Sequence, residues 1–246
     1  MRLPAQASVV LLAHAHPDDE TISTGALIRE LVDRGARVVL LTASRGERGE
    51  IVPAVRQLIA DDEDALTAAR ERELQQALTV LGVSDSYMLG TPPARAAGKA
   101  PRRYRDSGMR WVRPGLAGPA DDVPPDALSV ADFDEVVADV RALIDTVGPE
   151  LIVSYDDNGG YGHPDHHRIR EAAMAAAADA AVPFAELATS PAPDVEWFDL
   201  ERHLPTVQDA LRSHASQLTV DGTHIIHSGG QREPIVTSVG LRLLTG

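Results

Sequence analysis

The sequence has no cysteine, which excludes disulfide bridges, thiolate nucleophiles and cysteine-ligated zinc. Histidine, aspartate and glutamate are left as the ligands for any metal. Positive charge is scarce: 23 Lys and Arg stand against 37 Asp and Glu, a formal net charge of −14. Such a surface repels a smooth polyanion, so neither nucleic acid nor an anionic membrane is an expected partner. The short basic stretch Pro101-Arg102-Arg103-Tyr104-Arg105 reads as a solvated loop or, alternatively, a substrate-facing one. Long apolar runs are missing too. Val9 to Ala13 is too brief for a signal-peptide core or a membrane span, and the expectation is a soluble, cytoplasmic protein. There is no internal repeat and no Pro/Gly/Ser linker between two self-sufficient patterns, which predicts a single domain over residues 1–246. With 43% of its 246 residues hydrophobic, the chain can bury roughly 70–75% of its unfolded surface and needs no covalent staple.

What is present alternates between two periods. Ser8 to Ala13 is a short Val/Leu run that suits a strand buried on both faces. From Asp18, helical spacing takes over through Ile22, Ala26, Leu27, Leu31 and Val32, with Gly35 placed for a left-handed cap. Arg37 to Thr42 reads as a second strand, so strand, helix and strand make a βαβ crossover. Asp64 to Leu81 is helical by period and stops at Gly82; Val83 to Leu89 follows as a third strand. From Thr91 to Pro125 proline and glycine rise and periodicity vanishes, predicting a long substrate-side loop of about residues 91–128. Helix returns over Asp132 to Val147, then a strand over Leu151 to Tyr155, a Gly-rich turn, and an alanine-rich helix from Asp165 to Ala181. Thr206 to Gln217 is a further helix and Pro234 to Leu244 a late strand. The fold class is therefore α/β, a Rossmann-like, mostly parallel doubly wound sheet with helices on both faces, in which ligands bind beyond the carboxyl ends of the strands.

Two metal-competent clusters fall at such ends. His14-Ala15-His16-Pro17-Asp18-Asp19-Glu20 follows the first strand, and Tyr161-Gly162-His163-Pro164-Asp165-His166-His167 follows the strand ending near Tyr155. With a helix entered at Pro17, His16 and Asp19 stand three apart and face one point, while Asp18 is displaced around the turn. His16 and Asp19 are the better ligand pair, and Asp18 is left where a general base takes a proton from metal-bound water. His163 and His166 share the three-residue relation, so one binds metal and the other serves as an acid or electrostatic partner. Two histidines and a carboxylate leave coordination positions open, as catalytic zinc requires. The remaining histidines read plainly: His14 faces away, His167 is solvated, and His203 and His214 pack on a helix. His224 and His227 have ligand-like spacing in a loop but no carboxylate partner nearby.

Ala15-His16-Pro17-Asp18-Asp19-Glu20 and Gly162-His163-Pro164-Asp165-His166 resemble the two signature motifs of the LmbE-like, or PIG-L, zinc-dependent de-N-acetylases. The resemblance extends through Thr24-Gly25-Ala26, Gly46 to Glu50, Arg70, Arg105 to Met109 and Asn158 to Tyr161. Within the family the chain is most similar to the mycothiol-pathway enzymes, the N-acetylglucosaminyl-inositol deacetylase and the thiol-conjugate amidase. The resemblance implies Zn2+, or Fe2+ or another divalent ion in its place, on His16, Asp19 and His166. It implies Asp18 as general base, His163 as oxyanion stabiliser or acid, Asp165 as the group that orients a neighbouring histidine, and Tyr161 as a donor to the oxyanion. Arg70, Asp106, Glu50 and Met109 are implied as substrate-binding residues; the plain alternatives are a helix-surface ion pair of Arg70 with Glu71 or Glu73 and a turn role for Asp106 beside Gly108. The implied partner is an acetylated amino sugar or glycoconjugate, and a homo-oligomer is allowed. The chain departs from the mycothiol pattern in being shorter between the alanine-rich helix and the helix bearing His214 and Gln217, and in its segment after Val220.

Two other function classes use the same residues. A non-haem Fe(II) oxygenase also uses two histidines and a carboxylate, and is distinguished by oxygen uptake without acetate release. A non-catalytic sugar-binding protein has no need of Asp18. The Gly159-Gly160 pair further predicts that Tyr161 moves with its loop.

Overall fold

The computed structural model describes residues 6–59 and 62–244. Seven strands form one sheet in the order β3 (Asp85–Met88), β2 (Arg37–Thr42), β1 (Val9–His14), β6 (Leu151–Ser154), β7 (Phe184–Ala188), β12 (Ser238–Leu244) and β8 (Val195–Asp199). The first five run parallel, and β12 pairs antiparallel with both β7 and β8. The expected mostly parallel α/β sheet is present, and its antiparallel far edge is an addition.

Burial on both faces explains the apolar strands. In β1, Val10 and Leu12 point to one core and Leu11 and Ala13 to the other. The first core is closed by α1 (Asp19–Asp33), α3 (Glu63–Leu81) and α7 (Leu204–Ser213) through Leu27, Leu31, Leu74, Leu78, Val207 and Leu211. The second is closed by α4 (Phe133–Val147) and α6 (Pro164–Ala180), where Val136, Val140 and Ile144 meet Ala172, Ala173, Ala176 and Ala177. Small side chains along α6 let the two helix backbones approach closely. Gly82 and Gly148 cap α3 and α4 in left-handed conformations, φ 84° and 60°, where a Cβ would be strained.

The chain leaves β1 for β2 on one side, and β6 returns on the other. The strand order therefore reverses between β1 and β6, the place where doubly wound sheets open a crevice. His14 ends β1 and Ser154 ends β6, which brings the two histidine-rich segments to one spot.

Several expectations need correction. Helix α1 begins at Asp19, not Pro17, because Asp18 has φ 142° and cannot be helical. The predicted 91–128 loop contains a hairpin, β4 (Met109–Arg113) and β5 (Leu116–Pro119), which turns at Gly115 with φ 78°. The basic stretch is not a solvated loop: Tyr104 is fully buried with its hydroxyl donating to Asp139 at 2.8 Å, and Arg103 donates to Glu47 at 2.8 Å. The helix expected over 206–217 spans Leu204–Ser213, and the late strand starts at Ser238. A short helix α2 (Pro53–Ile59), strands β7 and β8, and a small sheet of β9 (Leu218–Asp221), β10 (His224–His227) and β11 (Arg232–Pro234) were not expected. Among the described residues no helix is long and apolar enough to cross a membrane.

Candidate metal centre

The site grows from two strand-to-helix turns. After β1, the backbone N–H of His16 donates to Asp19 Oδ2 at 2.8 Å, so a capping turn, and not a shared helix face, brings these residues together. After β6, the turn helix α5 (Gly159–Gly162) leads to His163, the N-cap of α6, whose Nδ1 accepts from Asp165 N–H at 3.1 Å. Pro164 follows as the first helical residue, where its missing N–H costs nothing.

Hydrogen bonding fixes where each imidazole lone pair points. His16 Nε2 lies 3.3 Å from Asp165 Oδ2; a carboxylate only accepts, so Nε2 carries the proton and Nδ1 is the free lone pair, 3.2 Å from Asp19 Oδ2. His166 Nδ1 lies 3.1 Å from the Gly159 carbonyl and must donate to it. Its Nε2 is then also a lone pair, buried, without a hydrogen-bond partner, and 3.3 Å from the same Asp19 oxygen. Three acceptors facing one another in a buried pocket repel unless a metal cation or a proton lies among them. Both imidazoles hand their other nitrogen to an acceptor, the usual support of metal-ligating histidine. Nitrogen atoms of His16, His163 and His166 lie within 4.8 Å of one another. That group holds His163 and not Asp19, whose Oδ2 is nevertheless 3.2 and 3.3 Å from the His16 and His166 nitrogens, so the residues present offer a divalent ion both imidazole and carboxylate donors.

Where no ion is bound, the acidic surroundings draw a proton onto His16 in its place. Burial opposes charge on His16, yet Asp106, Asp165 and Asp19 raise its pKa well above the ordinary value. Burial likewise opposes ionisation of Asp19, but His166 and His16 hold its carboxyl well below the usual range. His163 is the contrast. Burial first, then His16 and His166, push it down to about 2, so it is a neutral ring whose Nε2–H is available as a donor. Its ring stands 4.5 Å from that of His16 and 5.2 Å from that of His166.

Asp18 occupies a sparsely populated backbone conformation, φ 142° and ψ −29°, of the kind that costs roughly 1–3 kcal/mol and persists only where surroundings enforce it. Those surroundings are Glu20 and the C-terminal part of the chain. Asp18 N–H donates to Glu20 Oε2 at 3.0 Å, and the fully buried His214 donates to Glu20 Oε1 at 3.0 Å. Gln217 donates to the Pro17 carbonyl. Burial first, then the Asp19 carboxylate, push Asp18 up to about 7, with His214 opposing.

The other expected site residues fall into two groups. Asp165 is buried, held by the Ser107 N–H at 2.9 Å and by the Ser107 hydroxyl, and orients His16. Tyr161 lies over the cluster with its ring 5.0 Å from that of His166. Desolvation at the hydroxyl end, then Asp19 and Asp18, keep its pKa well above the ordinary value, although the residue as a whole is 38% exposed. Asp106 is buried with Oδ1 3.8 Å from His16 Nε2, and accepts from Gly108 N–H at 2.7 Å. Arg70 is not a surface ion-pair residue: it is 2% exposed and donates to the carbonyls of Gly46 and Glu50. It braces the loop after β2, and a Cβ on Gly49 would lie 2.4 Å from Arg70 Nη1, so a larger residue there would displace the guanidinium. Glu50 contributes that carbonyl while its side chain is exposed, and Met109 is half-buried at the root of the hairpin.

Sequence reasoning passed over three contributors. Tyr155 stacks on His166 at 4.1 Å and 8°, donates to Asp19 Oδ2 at 2.7 Å and accepts from Ala15 N–H at 2.9 Å; its place one residue beyond β6 was the available signal. Ser107 and the Glu20–His214–Gln217 network are the others. His214 therefore does more than pack on a helix. His14 faces away from the cluster as expected, with Nε2 3.1 Å from Thr24 Oγ1. His167 is half-buried, not solvated. His203 pairs with Glu30 at 2.8 Å, and His227 has a carboxylate partner after all, Glu233 at 2.9 Å on the small sheet.

Residues 11–177 match the family described as PIG-L: GlcNAc-PI de-N-acetylase. The 1D-myo-inositol 2-acetamido-2-deoxy-alpha-D-glucopyranoside deacetylase of Kineococcus radiotolerans is 47% identical over 68% of the chain and 44% of its own length, so this match spans less than half of that relative. The enzyme of the same name from Geodermatophilus obscurus is 36% identical over 96% of the chain and 92% of its own length. Among solved structures, N,N'-diacetylchitobiose deacetylase from Pyrococcus horikoshii superposes with a TM-score of 0.59 at 20% identity, over 85% of this chain and 70% of that one.

Proposed function

The chain belongs to the PIG-L family of de-N-acetylases, and from that premise we propose that the cluster at the β1/β6 crevice is the zinc centre of an amidohydrolase. Its substrate is an N-acetylglucosamine-containing small molecule, and its products are acetate and a free amine. The observation that carries this reading is the convergence of the His16 and His166 lone pairs on one oxygen of Asp19. A cytoplasmic setting, where such a substrate is met in solution, goes with it.

His16, Asp19 and His166 hold the ion in this reading, and a zinc ion there supplies Lewis-acid polarisation of the amide carbonyl and acidifies a water. Asp18 takes the proton of the attacking water, a role suited to a carboxyl pushed up to about 7. The cation beside it draws that value down again. As the carbonyl becomes tetrahedral, the oxygen gains charge and meets donors already in place, the neutral His163 Nε2–H and the Tyr161 hydroxyl. Asp18, now protonated, returns the proton to the amine nitrogen as the C–N bond breaks. Water has then been split between the acyl carbon and the leaving amine, and Asp18 is again a carboxylate. Asp165 keeps His16 in the required tautomer throughout. The mobility of Tyr161 belongs to the same reading: Gly159, Gly160 and Gly162 all have positive φ, so its loop is built of residues with little intrinsic preference.

The test is acetate release from N-acetylglucosaminyl-inositol, N,N'-diacetylchitobiose and N-acetylglucosamine, before and after chelation and after zinc is restored. Loss on chelation and recovery with zinc is expected. Oxygen consumption with Fe(II) and no acetate would replace this reading with the oxygenase one.

A further inference from the structure

This chain has two tryptophans, and one of them, Trp111, is 46% exposed on β4. Its placement follows from the hairpin. Alternate residues of a strand share a face, so Trp111 lies on the side of Met109, further out from the crevice. Across the hairpin it is paired with Ala117. Ala117 in turn rests on the glycine loop, since a Cβ on Gly162 would lie 3.0 Å from the Ala117 carbonyl oxygen. Trp111 thereby comes to stand beside Tyr161, with ring centroids 5.8 Å apart and planes tilted by 40°. The Tyr161 ring, 38% exposed, is 5.0 Å from the ring of His166. An aromatic ledge thus runs outward from the metal cluster, with Trp111 at its end and its indole free of any packed core.

Singly exposed aromatics are ordinary on protein surfaces; what sets this pair apart is that the two rings adjoin one another and lead out of the crevice. Pyranose and cyclitol rings suit that surface. Their C–H faces lie against the electron-rich face of an indole while their hydroxyls stay in water. We propose that Trp111 is a specificity-determining residue, forming with Tyr161 an outer subsite for a second polyhydroxylated ring attached to the amino sugar whose amide is cleaved. This rests on the amidohydrolase reading above and narrows it to substrates of two rings or more.

The zinc-loaded enzyme is assayed on N-acetylglucosaminyl-inositol and on N-acetylglucosamine, and the ratio of the two kcat/KM values is compared between variants. Trp111→Ala lowers that ratio by about tenfold, mainly through KM on the two-ring substrate. Trp111→Tyr keeps the ratio within about threefold of the parent, whereas Trp111→Leu, equally apolar but without a π face, behaves like the alanine variant. Val112→Ala, 56% exposed on the other face of the same strand, leaves the ratio unchanged. A second readout does not require turnover. In a Trp197→Phe background Trp111 is the sole indole, and glucosaminyl-inositol, the amine product, shifts its emission while glucosamine does not. An unchanged ratio in Trp111→Ala, together with emission blind to the two-ring amine, overturns the subsite. Failure of every variant and the parent to release acetate, with the emission shift intact, overturns the amidohydrolase reading and leaves a two-ring binding surface.

Discussion

The chemistry proposed for Asp18 depends on a single carboxyl held in an unusual backbone conformation beside a cation. As a base it must be ionised, so turnover falls as pH drops through its pKa, giving kcat/KM an acid limb. Asp18→Asn keeps the shape and removes the base. Its kcat is expected to fall by about 10²- to 10⁴-fold, while metal per chain, measured by elemental analysis, stays at the parent value; near-parent turnover would remove Asp18 from the mechanism. Tyr155 is the complementary case, a residue that touches the proposed ligand Asp19 and not the substrate. Its hydroxyl donates to Asp19 Oδ2, the oxygen on which both imidazole lone pairs converge. Tyr155→Phe keeps the stacking on His166 and deletes that bond, and an outer-shell loss of this kind weakens metal affinity by about 10- to 100-fold. Competition against a chelator of known affinity measures it, and unchanged affinity would mean Asp19 is oriented without Tyr155. That the two histidine-rich segments meet was legible from their places after β1 and β6, but the capping turn that joins His16 to Asp19 was not, nor were these supports. Tyr155, Ser107 and His214 reach the site across 136, 58 and 194 positions of sequence separation from their partners, and no local pattern encodes such a meeting.

At the scale of elements, legibility followed burial. Strands buried on both faces and helices closed by Gly82 and Gly148 carry their own period and stop signals, and the predicted bounds fall within a few residues of the structure. Strand β7 reads Phe-Ala-Glu-Leu-Ala, a sequence with no β-branched residue, and becomes a strand because β6 and β12 flank it; tertiary context overrides propensity there. The hairpin β4–β5 was hidden for a different reason. Four of its first five residues are exposed, so neither strand shows an alternating apolar face. The helix α7 carries a consequence for catalysis. Its C-terminal end presents His214, and the turn after it presents Gln217, to the β1–α1 turn, so the helix is the brace that keeps Asp18 strained. His214→Ala removes the imidazole paired with the buried Glu20 while the bonds to Glu20 from Asp18 N–H and Thr21 remain, a loss of up to roughly 3–5 kcal/mol for a buried pair, and loosens the Asp18 turn. The expected result is a fall in kcat of about tenfold or more with metal affinity retained. His214→Asn, which restores a donor of shorter reach, recovers part of the rate. A merely structural His214 would lower the melting temperature and leave kcat of the folded enzyme alone.

For the whole molecule, the site is a joint between the two halves of the sheet. The proposed ligands His16 and Asp19 sit after β1 and the third, His166, at the head of α6, 147 residues after Asp19 by number, and the reversal of strand order at β1/β6 is what makes them neighbours. The alternation of strand and helix foretold that crevice, whereas the closing of the far edge by β12 and the small sheet β9–β11 depended on contacts between distant segments. A cation held by this joint binds the folded chain and not the unfolded one, where the same side chains are scattered. Linkage then requires zinc at a thousandfold excess over its dissociation constant to add about 4 kcal/mol. For a domain of this length each kcal/mol moves the midpoint by about 2–4 °C, so calorimetry should record a rise on the order of 10 °C between chelated and zinc-loaded protein. A single transition is expected if the ion, as proposed, joins the halves of one sheet. His166→Ala removes one ligand from the joint and should abolish most of the rise, while His227→Ala, on the small sheet and paired with Glu233, should leave it intact. An equal rise in the parent and in His166→Ala would place the bound zinc somewhere other than the β1/β6 crevice.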